Sequence, residues 1–519
     1  MKYENRNKFY VTTPIFYANA RLHMGHTYTL VLADILARYH RSIGDQTFFL
    51  TGADEHGDKI VRAAQKENLG PQIFVDALSV ASQELLTQLR ISNDAFIRTS
   101  DKAVHWTGAI KLWHALEASG DIYQGVYQGL YCVGCEAFIT EKELVDKKCA
   151  LHNTVPETIK EENLFFRLSR YSNELKRLIE AGEMKIIPES RARETLAMIG
   201  EGLSDVSVSR LMGDVPWGIP IPSDPSKVMY VWCDALANYL SAIGYGSDHE
   251  ENFTALWPAD VQILGKDILR FHALLWPALL LSARLALPKE LLIHGFITSG
   301  GVKMSKSIGN VLDPEEFIRE YGVDSLRYYL AREVVPTEDG DLTREKFKEI
   351  YNANLANGLG NLVSRTLKMS AQYFDGHIVG DGTQSPPIRE ESSKEVLLGD
   401  VELPTIRSLV GGVILPRYHA HMGAYEVNKA MDDIWEIIGI LDRYITTYEP
   451  FKLIKTDRET TERVLWGVLY GLHEIANMLI PVMPGTSATM SELIEKREEG
   501  AMIIFTTKTP SEPLFVRKI

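Results

Sequence analysis

Two segments of the chain carry residues whose types and spacing could handle a chain of phosphates. The first is Phe9 to His26, FYVTTPIFYANARLHMGH, ending in His23-Met24-Gly25-His26. Two imidazoles three positions apart can project the same way, and Gly25, lacking a Cβ, lets a flat ring lie close to the backbone. If a helix starts there, its unpaired N–H groups and dipole favour an anion by roughly 0.3–1 kcal/mol. The tetrapeptide alone fits two readings, a phosphate site or a pair of helix-capping histidines. The second segment is Lys303-Met304-Ser305-Lys306-Ser307, set between Gly300-Gly301 and Ile308-Gly309-Asn310. Two ammonium groups and two hydroxyls on a loop can neutralise charge as it develops on a leaving phosphate. Alone it would pass for a solvated basic turn. Both segments in one chain favour a nucleotide site.

Two further groups could bind ligands. Asp54, in Gly52-Ala53-Asp54-Glu55-His56-Gly57, could hold an ammonium group or simply cap the next helix. Cys132, Cys135, Cys149 and His152 follow the spacing C-x2-C-x13-C-x2-H. Each half makes a tight knuckle, and four N/S ligands close a tetrahedron around structural Zn2+. A closed site has no position for water, so no catalysis is assigned to it. Cys233 lies outside the pattern and reads as a small buried hydrophobe.

The elements that must hold these groups can be read from periodicity. Phe9 to Thr13 is an apolar, β-branched and aromatic run that reads as a buried strand, stopped by Pro14, which has no N–H to donate. From Thr27, Leu30, Val31, Ile35 and Leu36 keep a helical rhythm. Thr47 to Thr51 is a second strand, with a helix from about Asp58. Strands are also expected at Met229–Cys233, Asp260–Leu264 and Leu291–Phe296, each running into a polar turn. Strand, turn and helix in repetition imply a parallel sheet that binds ligands at its strands' carboxyl ends. Beyond Thr343 the expectation is helices, at Phe347–Met369, Gly423–Tyr448 and Thr461–Met478, with a polar loop at 381–395 and a short helix near Ser487–Glu498.

The fold class expected is therefore α/β: a Rossmann-type sheet split by a zinc-bearing insertion and followed by an α-helical bundle. The boundaries are 1–117 and 228–300 for the two halves of the sheet domain and 118–227 for the insertion. The lysine loop and a linking region take 301–345, and the helical domain 346–519. A length of 519 residues suits several cores. The net charge of −14 argues against a generic nucleic-acid coat, although residues 1–120 are near neutral with 13 basic and 12 acidic side chains. The apolar run from His272 to Leu287 contains Pro277 and Arg284 and is short of the roughly 20 residues that span a bilayer, so no membrane is expected. The polar start MKYENRNK and the cysteine spacing imply a reducing cytoplasmic setting.

PIFYANARLHMGH, GADEHG, the cysteine knuckle, YVWCDALANY, GKDILRFH, HGFITSGGVKMSKSIGN and NGLGNLVSR run nearly the length of the chain. In this order they resemble methionyl-tRNA synthetases of bacterial type, within the class I aminoacyl-tRNA synthetases. The resemblance implies that ATP with Mg2+ activates L-methionine, and that the methionyl group passes to the 3′-terminal adenosine of tRNA-Met, initiator and elongator. It implies ATP contacts at His23, Gly25, His26, Gly265, Asp267, Lys303, Ser305 and Lys306, with His23, His26, Lys303 and Lys306 catalytic. It places the methionine ammonium at Asp54 beside Ile15. Tyr17, Trp232, Ala235, Leu236, Tyr239, Phe271 and His272 would surround the thioether. Asn361 and Arg365 would read the anticodon, together with Phe451 where the family usually has tryptophan. The chain ends without the extra dimerisation module of some members, so a monomer is expected.

The nearest rivals are other class I synthetases. Leucine, isoleucine and valine enzymes carry larger insertions, and a cysteine enzyme would use zinc in its amino-acid pocket. A small nucleotidyltransferase would not need the helical bundle. A non-catalytic tRNA- or zinc-binding module has no need of both lysine loop and paired histidines.

Overall fold

The computed structural model describes residues 7–132, 137–139, 144–150, 153–213, 215–304, 311–382, 385–388 and 404–519. The chain packs as two compact units, Met1–Phe296 and Ile297–Ile519.

The first unit is built on a sheet of seven strands, all paired in parallel. Its order is Lys185–Ile187, Glu290–His294, Val261–Gly265, β1 (Lys8–Thr12), β3 (Gln46–Asp54) and β2 (Phe16–Tyr17), with β4 (Ala95–Arg98) also paired to β3. Helices α1 (Met24–Ser42), α2 (Asp58–Lys66), α3 (Pro71–Gln88) and α4 (His105–Ala118) connect the early strands. From Phe9 to Thr12, β1 is buried on both faces, which is why its sequence is a continuous apolar run rather than an alternation. Pro14 interrupts the ladder only briefly: Thr13 N–H still donates to the Leu50 carbonyl, and pairing resumes at Phe16 opposite Ala53 and Tyr17 opposite Asp54. The chain from Phe271 to Ser282, a π-helical turn followed by a short α-helix, is buried against the sheet. Among the described residues no helix is long and apolar enough to cross a membrane.

Within residues 118–227, Ile122–Cys132 and Glu157–Phe166 form a long antiparallel ribbon. Lys185–Ile187 instead joins the edge of the parallel sheet, beside Glu290–His294.

Two local expectations need correction here. α1 begins at Met24, not Thr27, because its start is set by a cap and not by the buried stripe that marked its periodicity. Met229–Cys233 is not a strand. The strand Asp224–Met229 ends there, in a separate antiparallel sheet with Ser209–Leu211 and Pro220–Ile221, and a helix runs from Val231 to Leu236. That helix is buried except for Trp232, which is partly so. A fully buried helix shows no polar face, so its β-branched and aromatic residues imitate a strand.

The second unit is mainly helical. Its longest run passes from Arg344–Ile350 through a π-helical segment, Tyr351–Gly360, into Asn361–Phe374. Val427–Tyr448 and Arg458–Leu479 are the other long helices. The expectation of helices alone is corrected by a small antiparallel sheet, His377–Gly380, Met502–Thr507 and Ile494–Glu499. The region read as a helix at Ser487–Glu498 is a helix only to Leu493. Ile494–Glu499, IEKREE, looks unlike a strand because it is the edge of that sheet, where charged side chains guard unpaired backbone.

Candidate active site

α1 starts where it does because His23 caps it. His23 has extended backbone, and its Nδ1 accepts from the Gly25 N–H at 3.0 Å. In return, His26 Nδ1 accepts from the His23 N–H at 3.2 Å. The two rings lie nearly face to face, with centroids 3.9 Å apart. This is a reciprocal capping box made of histidine instead of serine and glutamate.

The two readings of HxGH are therefore compatible. A ring nitrogen that accepts an N–H carries no proton, so hydrogen-bond geometry assigns the proton of each neutral imidazole to Nε2, on the opposite ring edge. Burial above all, with the nearby Lys59 ammonium acting in the same direction, holds His26 well below the usual histidine range. It is thus a neutral donor at the positive end of a helix whose first turn contains no acidic residue. A Cβ on Gly25 would sit 2.9 Å from His23 Cε1. The flat ring that this glycine admits is His23's own.

Asp54 is buried at the carboxyl end of β3, in register with Tyr17. The Lys59 ammonium lies 4.8 Å from the centre of the Tyr17 ring. Ile15, Tyr17, Trp232, Leu236, Tyr239 and Phe271 belong to one apolar cluster, with Ala235 buried on the same helix as Trp232. Trp232 stacks on Phe271 at 3.8 Å between centroids. The His272 Nδ1–H donates to the Ile268 carbonyl at 3.1 Å, so its Nε2 accepts from the Tyr239 hydroxyl at 2.8 Å. Burial pulls His272 down to about 4. The structure thus brings together four of the residues expected around the thioether, as a stacked Trp232–Phe271 pair beside a neutral, internally satisfied Tyr239–His272 pair; Tyr17, Ala235 and Leu236 lie in or beside the same core. Such a wall suits a polarizable, weakly polar group.

Gly265 ends the strand Val261–Gly265, and Asp267 stands exposed in the turn after it. A Cβ on Gly265 would fall 2.6 Å from Asp267 Oδ1, so the glycine makes room for that carboxylate. His294 lies beneath: its Nε2 is 2.8 Å from the Thr29 hydroxyl on α1.

Sequence reasoning missed the most buried polar cluster in the unit. The Asp234 carboxylate accepts from His56 Nδ1–H at 2.6 Å and from His105 Nε2–H at 2.7 Å, and all three residues are buried. Burial pushes the carboxyl up, but the charge of His56 and the imidazole hydrogen bonds outweigh it and leave Asp234 at about 2. His56 and Asp234 are 178 residues apart, so no local spacing could have paired them.

In the second unit, Lys303 ends a hairpin, Ile297–Ser299 paired with Val302–Lys303, turned at Gly300 and Gly301 with φ of +63° and +74°. Asp341 holds the turn, accepting from Gly301 N–H at 2.8 Å and the Thr298 hydroxyl at 2.9 Å. Ser305 and Lys306 lie outside the described residues. Asn361 lines a groove of about 340 Å3 with Ala356, Asn357, Gly360, Ser364 and Pro513. One turn on, Arg365 is ion-paired with Asp442 at 2.5 Å. Phe451 is 45% exposed at the start of the short helix Pro450–Leu453.

Of the four sulfur and nitrogen ligands expected to hold zinc, Cys135 and His152 lie outside the described residues. Cys132 and Cys149 are both buried and come together in one small cluster with Leu130 and Leu144. Cys149 sits in a tight turn, its carbonyl accepting from Asn153 N–H at 2.8 Å. Cys233 is buried elsewhere, its thiol pushed up by burial.

One pH effect follows from His272. Its ordinary value is 6.5 and its folded value about 4. Folding is therefore unaffected by this group above pH 6.5. As pH falls from 6.5 towards 4 the unfolded chain takes the proton first, removing stability on the order of 3 kcal/mol. His26 acts in the same direction. Thermal melting should show a falling midpoint across that window, and His272→Gln should flatten part of the fall.

A family model for class I tRNA synthetases, the (M) group, matches residues 9–149 and 138–367. The methionine–tRNA ligase of Thermotoga maritima is 38% identical over 98% of this chain and 80% of its own length. That of Rickettsia bellii is 40% identical over 93% of this chain and 92% of its own. The Mycobacterium tuberculosis methionyl-tRNA synthetase in complex with methionyl-adenylate superposes with a TM-score of 0.89 at 34% identity, over 98% of this chain and 100% of that one. The chain belongs to the class I tRNA synthetases, among the methionine–tRNA ligases.

Proposed function

We propose that the chain joins methionine to the AMP moiety of ATP at the sheet's carboxyl edge, between the α1 N-terminus and Asp54, and then charges tRNA-Met. The observation that carries this reading is the histidine capping box, which fixes two neutral Nε2–H donors at a helix N-terminus. A carboxylate oxygen of methionine attacks the α-phosphorus, the bond to the bridging oxygen breaks, and pyrophosphate leaves; Mg2+ bound with the ATP would offset phosphate charge. A terminal adenosine hydroxyl of the tRNA then displaces AMP from the carbonyl carbon. Such transfers need positioning and charge stabilisation more than covalent help.

In this reading His23 and His26 donate to phosphate oxygens as charge spreads across them. Gly265 leaves space for the Asp267 carboxylate, which accepts from the ribose. Lys303, Ser305 and Lys306 hold the pyrophosphate. Asp54 and the Ile15 backbone take the ammonium group, and the Trp232–Phe271 stack and Tyr239–His272 pair close over the thioether. Asn361, Arg365 and Phe451 read the anticodon, initiator and elongator alike. In a charging assay, a tRNA-Met transcript should accept methionine only with ATP, and a transcript with an altered CAU anticodon should accept it poorly. Equal charging of both would defeat the anticodon reading.

Two buried thiols in one small cluster, one of them on a tight turn, fit a structural zinc. Cys132, Cys135, Cys149 and His152 would hold it, and it would order the insertion without entering the chemistry. Purified protein should contain one zinc per chain by atomic absorption. Cys149→Ala should remove it and lower the melting temperature while leaving pyrophosphate exchange measurable.

A further inference from the structure

The Asp234 cluster joins three separate pieces of the first unit. His56 follows Asp54 by two residues, on the turn between β3 and α2. His105 opens α4. Asp234 is on the helix Val231–Leu236, two residues after Trp232 and immediately before Ala235. The turn bearing His56 is itself held fast. Glu55, fully buried, takes Arg98 Nε at 2.7 Å and the Ser100 hydroxyl. Trp217 binds the same turn twice: its indole N–H donates to the Glu55 carbonyl at 2.5 Å, and its own carbonyl accepts from Gly57 N–H at 3.1 Å. The His56 ring stands edge-on to Trp217 and Trp106. On the other side His105 Nδ1 is 3.0 Å from the Ser241 hydroxyl.

None of these bonds completes a helix ladder or a sheet ladder. A buried charge network adds little stability over apolar residues of the same size; what it adds is a single defined arrangement of the pieces it joins. Here the pieces are the strand end with Asp54 and the helix with Trp232, Ala235 and Leu236. In the proposed function, where Asp54 takes the ammonium group and Trp232 meets the thioether, the distance between these pieces matches the length of the amino-acid side chain.

We propose that Asp234, through His56 and His105, is a positioning residue that sets this distance and so selects methionine over shorter thiol-bearing amino acids such as homocysteine. The inference rests on the assignment above of Asp54 to the ammonium group and Trp232 to the thioether wall. One methylene in an apolar pocket discriminates by only roughly 10- to 200-fold, so a pocket whose ends move apart by a fraction of a bond length loses much of that. Asp234 touches no reacting atom, and its loss leaves the α1 N-terminus and the Gly265 turn in place.

The test is methionine- and homocysteine-dependent pyrophosphate exchange in the full chain, comparing wild type with Asp234→Asn, His105→Gln and Asp54→Asn. Asparagine keeps the volume of Asp234 but can accept only one of the two imidazole N–H groups well. Glutamine at 105 keeps a donor towards Asp234. In Asp234→Asn, KM for methionine should rise by about 10-fold or more, KM for ATP should hold, and the preference for methionine over homocysteine should fall by about 5-fold or more. His105→Gln should recover most of the preference. A variant that is merely less stable loses active enzyme, which lowers the rate with both amino acids and leaves their ratio untouched; that result would overturn the proposal. If Asp234→Asn does not fold, His105→Ala against His105→Gln reads the same ratio, and equal ratios overturn it. Asp54→Asn separates the two levels. An unchanged methionine KM there would defeat the pocket assignment itself, whereas a raised KM there with unchanged Asp234→Asn and His105→Ala would defeat only the positioning role.

Discussion

In the His23→Asn variant, methionine-dependent ATP–pyrophosphate exchange falls by roughly 100- to 1,000-fold, the usual cost of removing one oriented donor from a developing anion, while the melting temperature holds. Asparagine is chosen because the side chain does two things at once. Its Nδ1 caps α1 by accepting from Gly25 N–H, and its Nε2–H is the donor assigned to phosphate. An asparagine carbonyl oxygen can take over the cap, being among the best residues for it. It is too short to place a donor where Nε2 sits. Alanine would lose both functions, with about 1 kcal/mol of stability lost along with the cap, and could not separate them. Exchange at the wild-type rate in His23→Asn would reduce His23 to a cap.

In Arg365→Ala, KM for tRNA-Met rises by roughly 10- to 100-fold, equivalent to about 1–3 kcal/mol per base contact, and pyrophosphate exchange without tRNA is unchanged. The protein stays folded, because the ion pair with Asp442 is partly exposed on both sides and pairs of that kind contribute about 1 kcal/mol or less. Asn361→Ala should behave alike, since Asn361 faces a groove beside the same helix turn. Loss of exchange in either variant would mean that the helical unit also supports adenylate formation. Steady-state charging and exchange, measured on the same preparations, distinguish the two.

The HxGH turn and the strand that ends at Asp54 were more legible in the sequence than the packing that supports them. HxGH is local, and so is Asp54 after its strand, whereas Cys135, His152, Ser305 and Lys306 lie outside the described residues. The first two depend on backbone geometry within a few residues, which spacing encodes. The Trp232–Phe271 stack was reachable only because both residues sit beside recognisable turns. Asp234 was not reachable, because its partners come from two other elements and an acid inside an apolar helix gives no sign of what it binds. Met229 to Cys233 failed for a related reason: a helix buried on every side has no amphipathic signature. The edge strand Ile494–Glu499 failed in the opposite way, its charge concealing its pairing. His23 carries a different lesson. Capping and phosphate binding were opposed in the sequence, whereas one imidazole has two nitrogens and can serve both.

In the proposed function this pocket, with its stacked rings and buried carboxylate, activates methionine. Pyrophosphate exchange by the full chain, offered each of the twenty amino acids and homocysteine in turn, tests it most directly. Exchange should be rapid with methionine, slow with homocysteine at high concentration, and absent above background with leucine, isoleucine, valine or cysteine. Preferential exchange with any of those four, or none with methionine, would contradict it.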